Sequence, residues 1–165
     1  MGDGYAVEPL QRADAGGMLE IFNHYIADGF AAYPEEPLAL DAMQHLLDDC
    51  ADHPRLAARD EAGRLVGFAF LRPYAAYATF SRTALVTYFI ASEHTGRGLG
   101  TRMLARLERE ARDVGIGTML AHVSSENPGS LAFHTRHGFV ECGRFLRIGV
   151  KKGRAFDVVW FQKSL

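Results

Sequence analysis

One stretch constrains this chain more than any other. Residues 94–103 read HTGRGLGTRM, with Gly96, Gly98 and Gly100 directly ahead of an amphipathic run. Glycine costs roughly 1 kcal/mol relative to alanine where a helix must form, so three at alternate positions need a physical reason. They remove side chains where the main chain must come close to something. Upstream, TALVTYFIA is a nearly continuous β-rich run, as expected for a central strand covered on both faces. Downstream, Leu99, Met103, Leu104, Leu107, Ala111 and Val114 recur at helical spacing. A strand end, a bare loop and a helix start make a ready anion site, because orphan N–H groups and the macrodipole both favour negative charge. Arg97 and Arg102 add positive charge nearby. A pyrophosphate is the natural occupant.

Two familiar phosphate loops fail on spacing. A P-loop needs Gly-Lys five residues after its first glycine, where this chain has Thr101. The dinucleotide fingerprint needs a third glycine at that same Thr101.

Periodicity supplies the rest of the order. Tyr5–Pro9 reads as a strand. Asp14 reads as the N-cap of a helix whose apolar face carries Met18, Leu19, Ile21, Phe22, Tyr25 and Ile26. A loop, DGFAAYPEEP, precedes a second helix, LDAMQHLLDDCAD. RLAARD and RLVGFAFLRPY flank the turn Glu61-Ala62-Gly63, a hairpin signal. After the glycine loop and its helix, where Glu108 and Arg112 form an expected i,i+4 pair, TMLAHVSS is a strand. NPGSLAFHTRHGF is a shorter helix closed by Gly138, and two final strands surround the turn Lys152-Gly153. The predicted fold is α+β: a mixed, mostly antiparallel sheet with helices on both faces, in one domain spanning 1–165.

The chain has 165 residues, formal charge −2, 48% apolar and 23% charged residues, so it can bury a core without metal or disulfide. No basic block suggests nucleic acid, and no apolar run approaches a membrane span. The start MGDGYAVEPL has no apolar leader core and no myristoylation pattern. Cys50 and Cys142 read as reduced, mostly buried thiols, and the expected compartment is the cytoplasm.

A third phosphate loop does fit. Thr95–Gly100 resembles the acyl-CoA signature [QR]xxGxG/A of the GNAT superfamily, with Gly98 and Gly100 in place and Thr95 where Gln or Arg is usual. ENPGSLAFHTRHGF resembles the second family motif, NxxSxxxHxxxGF, through Asn127, Ser130, His134, Gly138 and Phe139. NHYI at 23–26, Glu36-Pro37, Arg72-Pro73 and the tail GVKKGRAFDVVWFQ are similar to the branch acting on phosphinothricin, methionine sulfoximine and related amino acids.

The resemblance implies an acetyl-CoA-dependent N-acetyltransferase with a small amine as acceptor, no metal, and a homodimer. It implies a splayed cleft in which Tyr88, Phe89 and Ile90 hold pantetheine. Thr95, Gly96, Arg97, Gly98, Leu99, Gly100 and Thr101 would hold the pyrophosphate, with Asn127, Ser130 and His134 alongside. His134 is the expected general acid, since histidine titrates near neutrality; the other histidines default to packing or surface roles. The general base is open: the branch has a glutamate where this chain has Leu85, and Glu35, Glu36, His24 or a water chain are the replacements. Arg72 is an expected carboxylate clamp, with Tyr33 and Glu36 at the acceptor and Phe30 as a further wall. Leu85 also motivates the alternative of a CoA-binding sensor without turnover. A third reading is a protein N-terminal or lysine acetyltransferase.

Overall fold

A computed structural model describes residues 4–165. Of the start MGDGYAVEPL, in which no leader core or myristoylation pattern is read, the first three residues lie outside the described residues. Seven strands form one sheet in the order β1-β2-β3-β4-β5-β7-β6. They are β1 (Ala6–Pro9), β2 (Arg55–Arg59), β3 (Leu65–Pro73), β4 (Thr83–Ile90), β5 (Thr118–Ser124), β6 (Val140–Lys151) and β7 (Arg154–Ser164). The helices are α1 (Ala15–Ala27), α2 (Leu40–Asp49), α3 (Leu99–Asp113) and α4 (Pro128–Arg136).

Strand alternation divides the core. Phe68 and Phe70 of β3 turn to the face covered by α1 and α2, meeting Met18, Ile21, Met43 and Leu47. Ala69 and Leu71 turn to the other face, where α3 lays down Leu99, Met103, Leu104, Leu107 and Ala111. α4 packs on that second face through Leu131 and Phe133. The β3 run from Val66 to Leu71 is buried throughout because both faces are covered.

All neighbouring pairs are antiparallel except β4 with β5. That parallel pair lasts only from Thr83↔Thr118 to Leu85↔Leu120. Beyond Leu85 the two strands part, and the sheet opens into a fork.

Four local expectations change. Asp14 makes no side-chain cap to α1; its carboxylate accepts from Arg59 at 2.7 Å and from the Gln11 N–H at 2.9 Å. Glu108 does not serve Arg112: Lys163 of β7 reaches it at 2.5 Å, and the i,i+4 pair on α3 is Arg106–Glu110. Val114 falls just past the end of α3 and is 58% exposed. Cys50 is buried as expected, but Cys142 is exposed on β6. In the first three a tertiary partner or a helix end overrode a local pattern, and Cys142 is exposed because β6 is the edge strand of the sheet.

Candidate active site

The fork opens into a cavity of about 770 Å³. Its floor is the end of β4. Ala91 donates to Val66 at 2.8 Å, and alternation from that bond turns the N–H and C=O of Phe89 toward Phe68 of β3. The peptide groups of Tyr88 and the N–H of Ile90 therefore face the gap that β5 has left. The Ile90 carbonyl is taken by the Tyr25 hydroxyl at 2.6 Å. Phe89 is thus corrected from a main-chain ligand to a wall residue, its ring packed on Phe22, Tyr25 and Phe68.

The glycine loop forms the mouth. Gly96 and Gly98 have φ of +73° and +78°, and a Cβ on either would meet nothing within 4 Å. Their task is conformational: a left-handed backbone that exposes main chain to open space. Gly98 is the N-cap of α3 and supplies no side-chain cap, so the N–H groups of Leu99, Gly100 and Thr101 are left for an anion. Gly100 has a different task. A Cβ there would stand 3.3 Å from the Phe133 ring and 3.4 Å from Ile90, so this glycine lets α3, α4 and β4 approach one another.

Asn127 opens α4 by accepting from the Ser130 N–H at 3.2 Å, with Pro128 at the first position. This places His134 in the cavity wall, 3% exposed. Its Nδ1–H donates to the Ser130 carbonyl at 2.7 Å, which leaves Nε2 to accept the Tyr88 hydroxyl proton. Burial pushes its pKa down to about 4. In this geometry the His134 nitrogen that meets Tyr88 accepts a hydrogen bond and does not itself point a proton into the cavity. His134 instead orients the Tyr88 phenol, which burial keeps neutral.

On the far side of the fork lie Arg72 and His122. Register places Arg72 opposite Leu85 and His122 opposite Trp160, on the face toward α1 and α2. Among the described residues Arg72 has no carboxylate partner, although it lines the cavity. Tyr33 stacks on His122 at 5.5 Å, and its hydroxyl lies 3.1 Å from Nδ1.

Residues 18–139 match the Acetyltransferase (GNAT) family. The chain belongs to the GNAT family of acetyltransferases. An L-methionine sulfoximine/L-methionine sulfone acetyltransferase of Pseudomonas aeruginosa is 32% identical, over 93% of this chain and 90% of that protein. An L-amino acid N-acyltransferase of Escherichia coli is 30% identical over 94% and 91%. A Salmonella typhimurium acetyltransferase solved with acetyl-CoA superposes with a TM-score of 0.90 at 26% identity, over 99% of this chain and 95% of that one.

As a GNAT acetyltransferase the chain gathers most of its sequence-identified residues into one cavity. Tyr88, Phe89, Ile90, Thr95, Gly96, Gly98, Gly100, Thr101, Asn127, Ser130, His134, Tyr33 and Arg72 all line it. Arg97 and Leu99 side chains do not: Arg97 donates to the Tyr5 hydroxyl at 3.3 Å, and Leu99 is in the core at 1% exposure. Glu36 is exposed and does not line the cavity. The side-chain candidates for the base do not line the cavity either. Glu35 accepts the Lys152 N–H at 2.5 Å, and His24 sits beside Asp28 on the outside of α1. Phe30 packs on Phe156 away from the cavity lining.

Arg136 and His122 were missed. Neither occupies a motif position, and only the closing of α4 over the fork and the register of β5 reveal them.

Proposed function

We propose that this GNAT protein moves the acetyl group of acetyl-CoA to the primary amine of a small α-amino acid or analogue, as methionine sulfone and phosphinothricin are. The observation that carries this reading is Arg72: a guanidinium with no carboxylate partner among the described residues, in the wall of the cavity that also holds the glycine loop. Such a cation in a mostly apolar cleft calls for an anionic substrate group, and a guanidinium binds a carboxylate in two-point fashion. The names of the Pseudomonas aeruginosa and Escherichia coli relatives support the same acceptor class.

The chain's own groups supply the rest. Uncapped amides of the α3 start hold diphosphate. The freed edge of β4 at Tyr88 and Ile90 bonds the pantetheine amides, and a β4 N–H polarises the thioester carbonyl. Holding both substrates in one cleft accounts for much of the acceleration.

The test is thiol release from acetyl-CoA with methionine sulfone, methionine sulfoximine, phosphinothricin, a polyamine and an N-terminal peptide. Turnover confined to the amino acids supports the reading; turnover confined to peptide or polyamine overturns it.

The protein works in this reading as one domain in the cytoplasm, and as a homodimer built on β6. No helix among the described residues is long and apolar enough to cross a membrane. β6 is an edge strand, and Phe145, Leu146, Ile148 and Val150 on it are each more than half exposed. An apolar edge with open peptide groups is a surface that a second copy can cover by strand pairing and burial together. Light scattering reports the mass.

A further inference from the structure

Acetyl transfer to an ammonium needs a group that takes a proton, and the cavity narrows the choice. Among the described residues no aspartate, glutamate or lysine lines it. Arg72 and Arg136 are cations and take nothing. The tyrosines are neutral acids; burial holds Tyr33 up to about 12 and raises Tyr25 and Tyr88. His134 has both nitrogens engaged, one on the Ser130 carbonyl and one on Tyr88. Among the described side chains that line the cavity, one basic atom is left.

We propose that Nε2 of His122 removes the proton from the acceptor's ammonium group, with the Tyr33 hydroxyl holding the ring at Nδ1. This assignment rests on the acetyltransfer reading above. Among the described residues Nε2 has no hydrogen-bond partner, and the ring borders both the main cavity and a second recess of about 410 Å³. His122 lies two residues beyond the last β4–β5 pair, Leu85↔Leu120. It stands across the fork from Tyr88, whose main chain faces the same gap.

The tautomer follows from the ligand. An ammonium only donates, so it selects the ring with its proton on Nδ1, donated to the Tyr33 oxygen. That bond persists in the imidazolium, so protonation needs no rearrangement. The ring also lies between Tyr33 and Trp160, at centroid distances of 5.5 and 5.0 Å, and aromatic faces favour the cation. The groups facing His122 are Tyr33 from the α1–α2 loop, Arg72 from β3 and Trp160 from β7. Burial first, then Arg72, lowers its pKa, so the ring is neutral at pH 7 and ready to accept.

The step balances. One ammonium proton passes to Nε2, the freed nitrogen bonds the acetyl carbon, and the carbon–sulfur bond breaks with its electron pair on sulfur. The second proton lost by nitrogen ends on the thiolate. The imidazolium releases its proton to solvent.

The experiment measures kcat and KM of wild type, His122→Gln and Tyr33→Phe, with methionine sulfone as acceptor and acetyl-CoA binding by calorimetry. In His122→Gln we expect kcat to fall about 100-fold at pH 7 with acetyl-CoA affinity unchanged, and the deficit to shrink toward about pH 9, where the amine loses its proton unaided. Tyr33→Phe keeps the ring stack and is expected to lower kcat about tenfold; it carries the test should His122→Gln fail to fold. Wild-type kcat in either folded variant overturns the assignment alone. Absence of turnover by the wild type on every acceptor overturns the acetyltransfer reading and this assignment with it.

Discussion

Tyr88 on β4 gives its hydroxyl proton to Nε2 of His134 on α4, so the strand that opens the fork is tied to the helix that closes over it. The rings stack at 5.4 Å, and His134 lies equally close, at 5.3 Å, to Phe161 of β7. The bond requires a neutral imidazole.

That requirement sets a pH dependence. The folded pKa of His134 is lowered to about 4 from 6.5. The unfolded chain therefore binds a proton that the folded chain refuses between these values, and stability falls as pH drops through that window. The folded state should lose on the order of 2–3 kcal/mol from this residue between pH 7 and pH 4.5. Urea unfolding at both pH values checks it. His134→Gln, which cannot titrate, should lose correspondingly less; an equal loss would mean that another group sets the acid limit.

Gly98 and Gly100 should respond differently to alanine. Gly98→Ala forces an L-residue into left-handed backbone at a cost of about 1–2 kcal/mol, felt where the amides meet the diphosphate. Acetyl-CoA affinity should fall roughly tenfold. Gly100→Ala puts a methyl 3.3 Å from Phe133, so α3 and α4 must part slightly and the melting temperature should drop as well. Calorimetry and thermal unfolding on both variants separate the effects.

Arg72→Met should leave acetyl-CoA binding intact and raise KM for the amino-acid acceptor. Losing a charge-assisted pair is worth about 1.5–3 kcal/mol, or roughly ten- to a hundredfold in KM. Steady-state kinetics with each substrate varied in turn decides it. A matching loss for an acceptor without a carboxylate would show that Arg72 acts through structure.

Gly149→Ala tests the β6–β7 hairpin. A methyl there would run into the Phe156 ring, and Phe156 stacks on Tyr33 at 5.9 Å. Overpacking of this kind costs about 1–3 kcal/mol. The melting temperature should fall, and with it the order of the Tyr33 wall. Unchanged melting would show that β6, an edge strand, simply moves aside.

The lysines at the tip of the same hairpin tie it to the end of α1 and the loop that follows. Lys151 is 1% exposed and donates to the Ala32 carbonyl at 2.7 Å, while Lys152 reaches the Ala27 carbonyl. Burial lowers the pKa of Lys151. These bonds join residues more than a hundred positions apart, and no local pattern announces them.

The sequence by itself determined what depends on neighbours along the chain. Glycine most readily takes the left-handed backbone at positions 96 and 98, Asn127 and Pro128 start a helix by local hydrogen bonding and fixed φ, and continuous apolar runs mark β3 and the first half of β4 as buried. From those came the order of elements and the glycine loop between β4 and α3. Tertiary structure alone decided which atoms remain free. The fork after Leu85 opens the Tyr88 and Ile90 amides but leaves Phe89 bonded to β3. Packing of α4 spends both nitrogens of His134 on Ser130 and Tyr88, and β5 carries an unremarked histidine to Tyr33. A side chain's chemistry is set by its partners and its access to water, and for these residues the partners come from distant parts of the chain.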